Sequence, residues 1–245
     1  KWRIIRINGN GSIRLLYAGN GTSATDIGTS AFNSTYNHPQ YVGWKYTAGN
    51  SLATNRGNGT KSTIYSKVET WYNGLSSTDK NYIDTGAIYC NDRNIASGYS
   101  YSTSSTFYYA AWGRLANSKT PTFNCSNTSD RFTTFGLMTA DEVAFAGGVY
   151  GTNSPKAYYY LAQDGTSSIT GSSWWWTMSP SDFYVYGSTI SAYVFFVGGS
   201  SYPGRLSNTW VLYSNVVRPV VSLKSSVLVT GGSGTGTNPY TLQMP

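Results

Sequence analysis

The chain has 245 residues, of which 11% are charged and 16% aromatic, and its formal net charge is +7. The length allows one sizeable domain or two small ones. The 17 lysines and arginines are scattered from Lys1 to Lys224 without a basic run, which argues against nucleic acid as a partner, and no stretch reaches the ~18 apolar residues of a membrane-spanning helix.

In chain order, "KWRIIRINGNGSIRLLYAG" is two β-rich runs around Asn-Gly-Asn-Gly, a hairpin signal because Asn and Gly tolerate positive φ. Gly21 to Gly59 is Ser, Thr, Asn, Gly and aromatics without period, and predicts long ordered loops. "KSTIYSKVETWYNG" spaces Ile64, Val68 and Trp71 at helical intervals, with Ser62 or Thr63 as N-cap and Asn73-Gly74 as the stop. A short helical turn is expected from Ser77 to Ile83, then a strand, "GAIYCN", ending at the first cysteine. "TADEVAFAGG" predicts a second capped helix: Thr139 and Glu142 form a capping box, and Gly147-Gly148 end it. Beyond Gly148 the text is β-like: "AYYYLA", "SSWWWTMS", "SAYVFFVG", "VVRPVVSLK" and "SSVLVT". No repeat of 20 to 50 residues is present, so solenoids and propellers are not expected.

Tyrosine occurs 22 times, roughly three times ordinary usage. Two readings follow: a contact surface, where tyrosine gives area at low entropic cost, or the half-exposed strands of an extracellular β-rich protein. The two cysteines, Cys90 and Cys125, lack metal-ligand spacing and sit in a secreted-looking composition, so a disulfide between them is expected. Each is followed by an Asp-Arg pair, Asp92-Arg93 and Asp130-Arg131; a bridge brings these four charges together, as cross-paired ions or as coincidental neighbours. Six N-x-S/T sequons, at Asn10, Asn20, Asn33, Asn58, Asn124 and Asn127, are no more than this Asn-, Ser- and Thr-rich composition produces by itself.

Signals of catalysis are scarce. The lone His38 lacks a nucleophile motif and metal-ligand partners, Asp141-Glu142 are explained by the first turn of their helix, and "GGSGTGTNP" lacks a phosphate-loop lysine. No catalytic residue, metal or cofactor is expected.

At "GLMTADEVAFAGGVYG", "WWWTMSPSDF" and "VVRPVVSLKSSVLVTGGSGTGTNPY" the sequence resembles a family of bacterial and phage surface domains with a C-type-lectin-like fold. "WRIIRINGNGSIRLLY", "IYCNDR" and "NCSNTSDRF" extend the likeness over almost the whole chain. The family is related in fold to formylglycine-generating enzymes and to the variable proteins of diversity-generating retroelements, whose C-terminal region displays randomised binding residues. Members are often fused to pilin-like or other membrane-anchoring N-termini. Because this chain opens inside an apparent strand and shows no signal peptide, an anchoring or export segment is expected upstream. The sequence departs from the family at "SNVVRPV", where Val216 stands at a position usually glycine, which puts the local turn in doubt. The Glu-Pro-Asn and Trp-Asn-Asp triplets of calcium lectins are absent, so the resemblance does not imply calcium or sugar binding. Nor are the paired cysteines of the formylglycine enzymes matched.

The expected fold is α+β and C-type-lectin-like, residues 1–245 forming one domain: a mostly antiparallel twisted sheet, two short flanking helices and long ordered loops. Residues 172–224 combine platform and display. Trp174 to Trp176 and the "RPVV" strand are platform, with Arg218 hydrogen-bonded in the core and Pro180 fixing the exit of the strand. Tyr193, Phe195 and Val197 are read as alternate core residues of one strand. Tyr184, Tyr186, Ser188, Tyr202, Arg205, Trp210 and Tyr213 stand equally for ligand binding and for ordinary exposed loop. The function expected is a non-enzymatic extracellular or cell-surface binding or adhesion module, monomeric, whose partner is a protein or glycan on another surface. The alternative is a subunit or tip of a pilus-like filament, with the same aromatics as subunit contacts.

Overall fold

The computed structural model describes residues 1–19, 26–157, 174–199, 201–235 and 237–244. It is a mixed α+β protein, mostly sheet with short helices. Apart from Ala157, the expected strand "AYYYLA" lies outside the described residues.

The N-terminal hairpin forms as its turn residues dictate: β1 (Trp2–Ile7) pairs antiparallel with β2 (Ile13–Tyr17), with Gly11 at φ 81° in the turn. On its other side β2 pairs with Val220–Leu223, so the two ends of the chain share a three-stranded sheet. The larger sheet is built on β3 (Trp175–Tyr186), β4 (Thr189–Val197) and β5 (Arg205–Trp210), joined antiparallel; Val220–Leu223 is then β6. Two-residue strands extend this sheet: Phe107–Tyr108 and Asn215–Val216 against β3, and Val149–Tyr150 against β5. Val216 thus continues a strand by pairing with Trp175 and Thr29.

Helices α1 (Leu52–Asn55), α2 (Thr63–Asn73), α3 (Ser77–Tyr82), α4 (Ala110–Trp112) and α5 (Ala140–Phe145) flank the sheets. Ser62 is the N-cap of α2, its hydroxyl accepting from Tyr65 N at 3.2 Å; Ile64 and Val68 are fully buried, while Trp71 packs half-buried against the rings of Trp2 and Tyr17. The capping box of α5 is complete: Thr139 Oγ1 accepts from Glu142 N at 3.0 Å, and Glu142 Oε2 accepts from Thr139 N at 2.9 Å. Of the helices, α2 was expected from its periodicity, α5 from its capping box and α3 as a short turn. The further one-turn helices are too short to show a period, and α1 is set by its cap alone, Ser51 Oγ accepting from Thr54 N.

Cys90 and Cys125 are bridged, Cα to Cα 5.8 Å. Of the Asp-Arg pairs beside them, Arg93 does cross over to Asp130, with Nε to Oδ1 at 2.7 Å, whereas Asp92 pairs with Arg114. Residues 26–59 are ordered with few strands, because buried side chains satisfy their backbone. Asn91 accepts from Trp44 N and donates to Val42 O and Met178 O, and Arg93 donates to the carbonyls of Lys45 and Asn55. The bridge and its neighbouring polar side chains therefore fix the long loops onto β3.

Strand β3 is buried for most of its length and open at its end. Its first nine residues, Trp175 to Phe183, are buried, and its last three reach the surface. Two details differ from expectation. Trp174 is not core: it is 40% exposed and stacks on Phe196 at 4.6 Å. Pro180 does not end the strand but lies inside it, where the pairing with β4 slips twice, so the absent N–H falls at an irregularity in the ladder. Arg218 is fully buried with its guanidinium 5.0 Å from the Trp175 ring centroid.

Candidate functional site: an aromatic face on the outer end of the sheet

Residues paired across a sheet share a face, and successive residues alternate faces. In the regular part of the register Asp182 is opposite Tyr193 and Tyr193 is opposite Trp210. Asp182, Tyr184 and Tyr186 of β3, Tyr193 of β4 and Trp210 of β5 therefore stand on one face. Their rings touch in series: Tyr186 to Tyr184 at 6.4 Å, Tyr184 to Tyr193 at 6.3 Å, Tyr193 to Trp210 at 6.2 Å. From Trp210 the series branches to Tyr36, stacked at 6.0 Å, and to Tyr213, also at 6.0 Å. Trp210 Nε1 donates to the Tyr193 hydroxyl. Tyr186 and Tyr213 are 75% and 55% exposed, while Tyr193 and Trp210 are half-buried. Mutual packing restricts the rotamers of these rings.

Beneath the rings lies Asp182, buried and, among the described residues, hydrogen-bonded on one oxygen only. Oδ1 accepts from Ser181 Oγ and from Asn208 Nδ2, each at 2.7 Å. The other buried carboxylates, Asp92, Asp130, Asp141 and Glu142, each pair with an arginine; Asp182 forms no ion pair among the described residues. Desolvation pushes its pKa up to about 6, against the pull of the two hydrogen bonds. Burial, then the charge of Asp182, pushes the Tyr193 hydroxyl up to about 12. At neutral pH the Tyr193 phenol, above the buried Asp182, is therefore uncharged.

The seven residues singled out in the sequence do not form one site. Tyr184, Tyr186, Trp210 and Tyr213 come together in the aromatic face, and Ser188 is exposed beside it in the two-residue turn between β3 and β4. Arg205 lies an odd number of residues from Trp210 on a regular strand and so points to the opposite face. There it stacks on Tyr202 at 5.2 Å and shares with Trp174, Phe196 and Ser207 a cavity of about 330 Å³. Tyr193 belongs to the aromatic face, not to the core. Its alternation with Phe195 and Val197 is real, but the face they share passes from open to covered between Tyr193 and Val197: Phe195 and Val197 are fully buried and Tyr193 is not. Tyr36 was missed because the loop "NSTYNHP" has no period to place it. His38 caps the 3-10 turn Pro39–Val42, its Nδ1 accepting from Gln40 N at 3.2 Å. Among the described residues no helix is long and apolar enough to cross a membrane.

No protein family, curated protein or solved structure matches this chain.

Proposed function

We propose that the protein is a non-enzymatic extracellular binding or adhesion module, and that the aromatic face of Tyr184, Tyr186, Tyr193, Trp210 and Tyr213 meets a protein or glycan on another surface. The observation that carries this reading is the continuous series of mutually packed, solvent-facing rings at the end of a strand otherwise committed to the core. Exposed aromatic patches of this kind mark interaction sites, and tyrosine and tryptophan dominate binding hot spots. A C-type-lectin-like architecture is part of the proposal. It is supported by the pairing of β2 with β6, which closes the chain on itself and leaves β3 to β5 to present the face. The disulfide is compatible with an extracellular setting.

The test is the triple substitution of Tyr184, Tyr186 and Tyr213 by serine, with wild type and variant applied to a panel of cells and to glycan and extracellular-protein arrays. Wild type should bind one target saturably. The variant should lose that binding at least tenfold while keeping its melting temperature within a few degrees, since exposed substitutions usually cost under about 0.5 kcal/mol each. Unfolding of the variant, or retained binding, overturns the reading. Concentration-dependent open assembly of the wild type, abolished in the variant, supports the filament-subunit alternative instead.

A further inference from the structure

A second concave site shares no residue with the aromatic face. It is a cavity of about 270 Å³ beside the disulfide, where the N-terminal hairpin meets the start of α5. Arg6, Arg14, Arg114 and Arg131 line it together with Asp92, Asp141 and Glu142, leaving one positive charge in excess.

Every carboxylate oxygen in this wall already has a donor. Glu142 Oε1 takes Arg6 Nε at 3.1 Å and lies 2.5 Å from Arg14 Nε, and its Oε2 takes Thr139 N. Asp141 Oδ1 takes Arg114 Nε and Thr122 N, and its Oδ2 takes Arg114 Nη2, all at 2.9 Å. Asp92 is held by Arg114 Nη1 and by Asn94.

The donors are not used up. A guanidinium carries five N–H groups. Arg6 gives only Nε, to Glu142, and Arg131 only Nε, to Cys125 O at 2.8 Å. The four Nη hydrogens of each donate to nothing among the described residues. Arg6 is nonetheless fixed, its guanidinium lying 4.3 Å from the centroid of the Phe123 ring while Nε stays on Glu142. Positioned, partly desolvated guanidinium forks with free N–H groups are the usual means of recognising a carboxylate or a tetrahedral oxyanion.

We propose that this cavity binds a small oxyanion, a carboxylate or sulfate-type group carried by a ligand, held between the free Nη groups of Arg6 and Arg131. The volume, near the lower end for small-molecule pockets, suits one such group with the ring or residue that bears it.

Calorimetry and thermal unfolding with sodium acetate, glucuronate, phosphate and sulfate, each against sodium chloride at equal ionic strength, test the proposal. At least one of the four should bind saturably. A response to acetate or glucuronate alone identifies a planar carboxylate, and one to sulfate or phosphate alone a tetrahedral anion. R131Q removes an exposed side chain, and R6K keeps the charge but removes the fork; each should weaken the anion tenfold or more while leaving unfolding in chloride close to wild type. No saturable binding of any of the four anions overturns the proposal, and so does binding that neither variant weakens. The aromatic face is untouched by either variant, so failure here leaves the adhesion reading where it stood.

Discussion

Arg93 and Asp130, 37 residues apart, form a buried ion pair that also anchors the backbone: Asp130 Oδ1 takes Arg93 Nε at 2.7 Å and Oδ2 takes the Arg93 amide at 3.0 Å. The remaining guanidinium nitrogens donate to the carbonyls of Lys45, Asn55, Arg56 and Ser129, and Arg56 adds a second cation to Asp130 at 3.2 Å. Three loop segments thus meet at one arginine. R93M leaves several buried carbonyls without a donor and leaves Asp130 with the main-chain amide of residue 93 and, as its one cation, the longer Arg56 contact. It should cost about 3–5 kcal/mol. D130N should cost a similar amount, and the double variant less than the sum of the two, since both remove the same interaction. Urea denaturation of the three proteins measures this; additive losses would show that the two residues act independently.

The disulfide beside this pair closes a loop over a sequence separation of 35. Replacing both cysteines by alanine should cost on the order of 3 kcal/mol in the chain-entropy account, and so lower the melting temperature by about 10 °C in a chain of this size. An unchanged melting temperature would mean that the polar network alone holds the loops.

Much of the scaffold was legible because it is local. The Asn-Gly-Asn-Gly turn, the Ser62 cap with its apolar spacing, and the Thr139–Glu142 box each specify an element within a few residues, and each forms as read. The aromatic face was legible only in part, because membership depends on where along a strand the cover ends. Trp174 and Trp176 read alike, yet Trp176 is fully buried with Nε1 on Ser30 O and Trp174 stacks outside on Phe196. Arg205 and Trp210 fall in the same tyrosine-rich text and part to opposite faces by strand parity alone. Arg6 and Arg114 gave no signal, since their carboxylate partners lie 136 and 27 residues away in the chain.

Close packing at Gly136 gives a third expectation. A Cβ there would lie 2.7 Å from the Cβ and Cδ1 atoms of Tyr89, a fully buried residue whose ring also carries the Arg14 guanidinium at 4.3 Å. The contact is with the root of the Tyr89 side chain, which cannot swing aside as a flexible tip would, so G136A should destabilise by about 1–3 kcal/mol, although Ala is otherwise a better residue than Gly in an ordered chain. A neutral or stabilising G136A, read by thermal unfolding, would show that the Tyr89 site is looser than this packing implies.

Asp182 yields the fourth. Burial raises its carboxyl from the ordinary 3.8 to about 6 in the folded protein, while in the unfolded chain it titrates near 4. Between these values the folded state holds a proton that the unfolded state has released. The associated stability is therefore full below about pH 4 and is lost as the pH rises through 6. D182N keeps the shape and an oxygen for the Ser181 and Asn208 donors, and it cannot ionise. Compared with wild type, the variant should gain on the order of 3 kcal/mol between pH 3.5 and pH 7. Its stability curve should run flatter across that interval, whatever constant offset the new amide introduces. Urea midpoints of both proteins at half-unit steps measure the gap. Curves that stay parallel from pH 3.5 to pH 7 would show that water or a counter-charge reaches this carboxylate, and the picture of a lone buried acid beneath the aromatic face would fall.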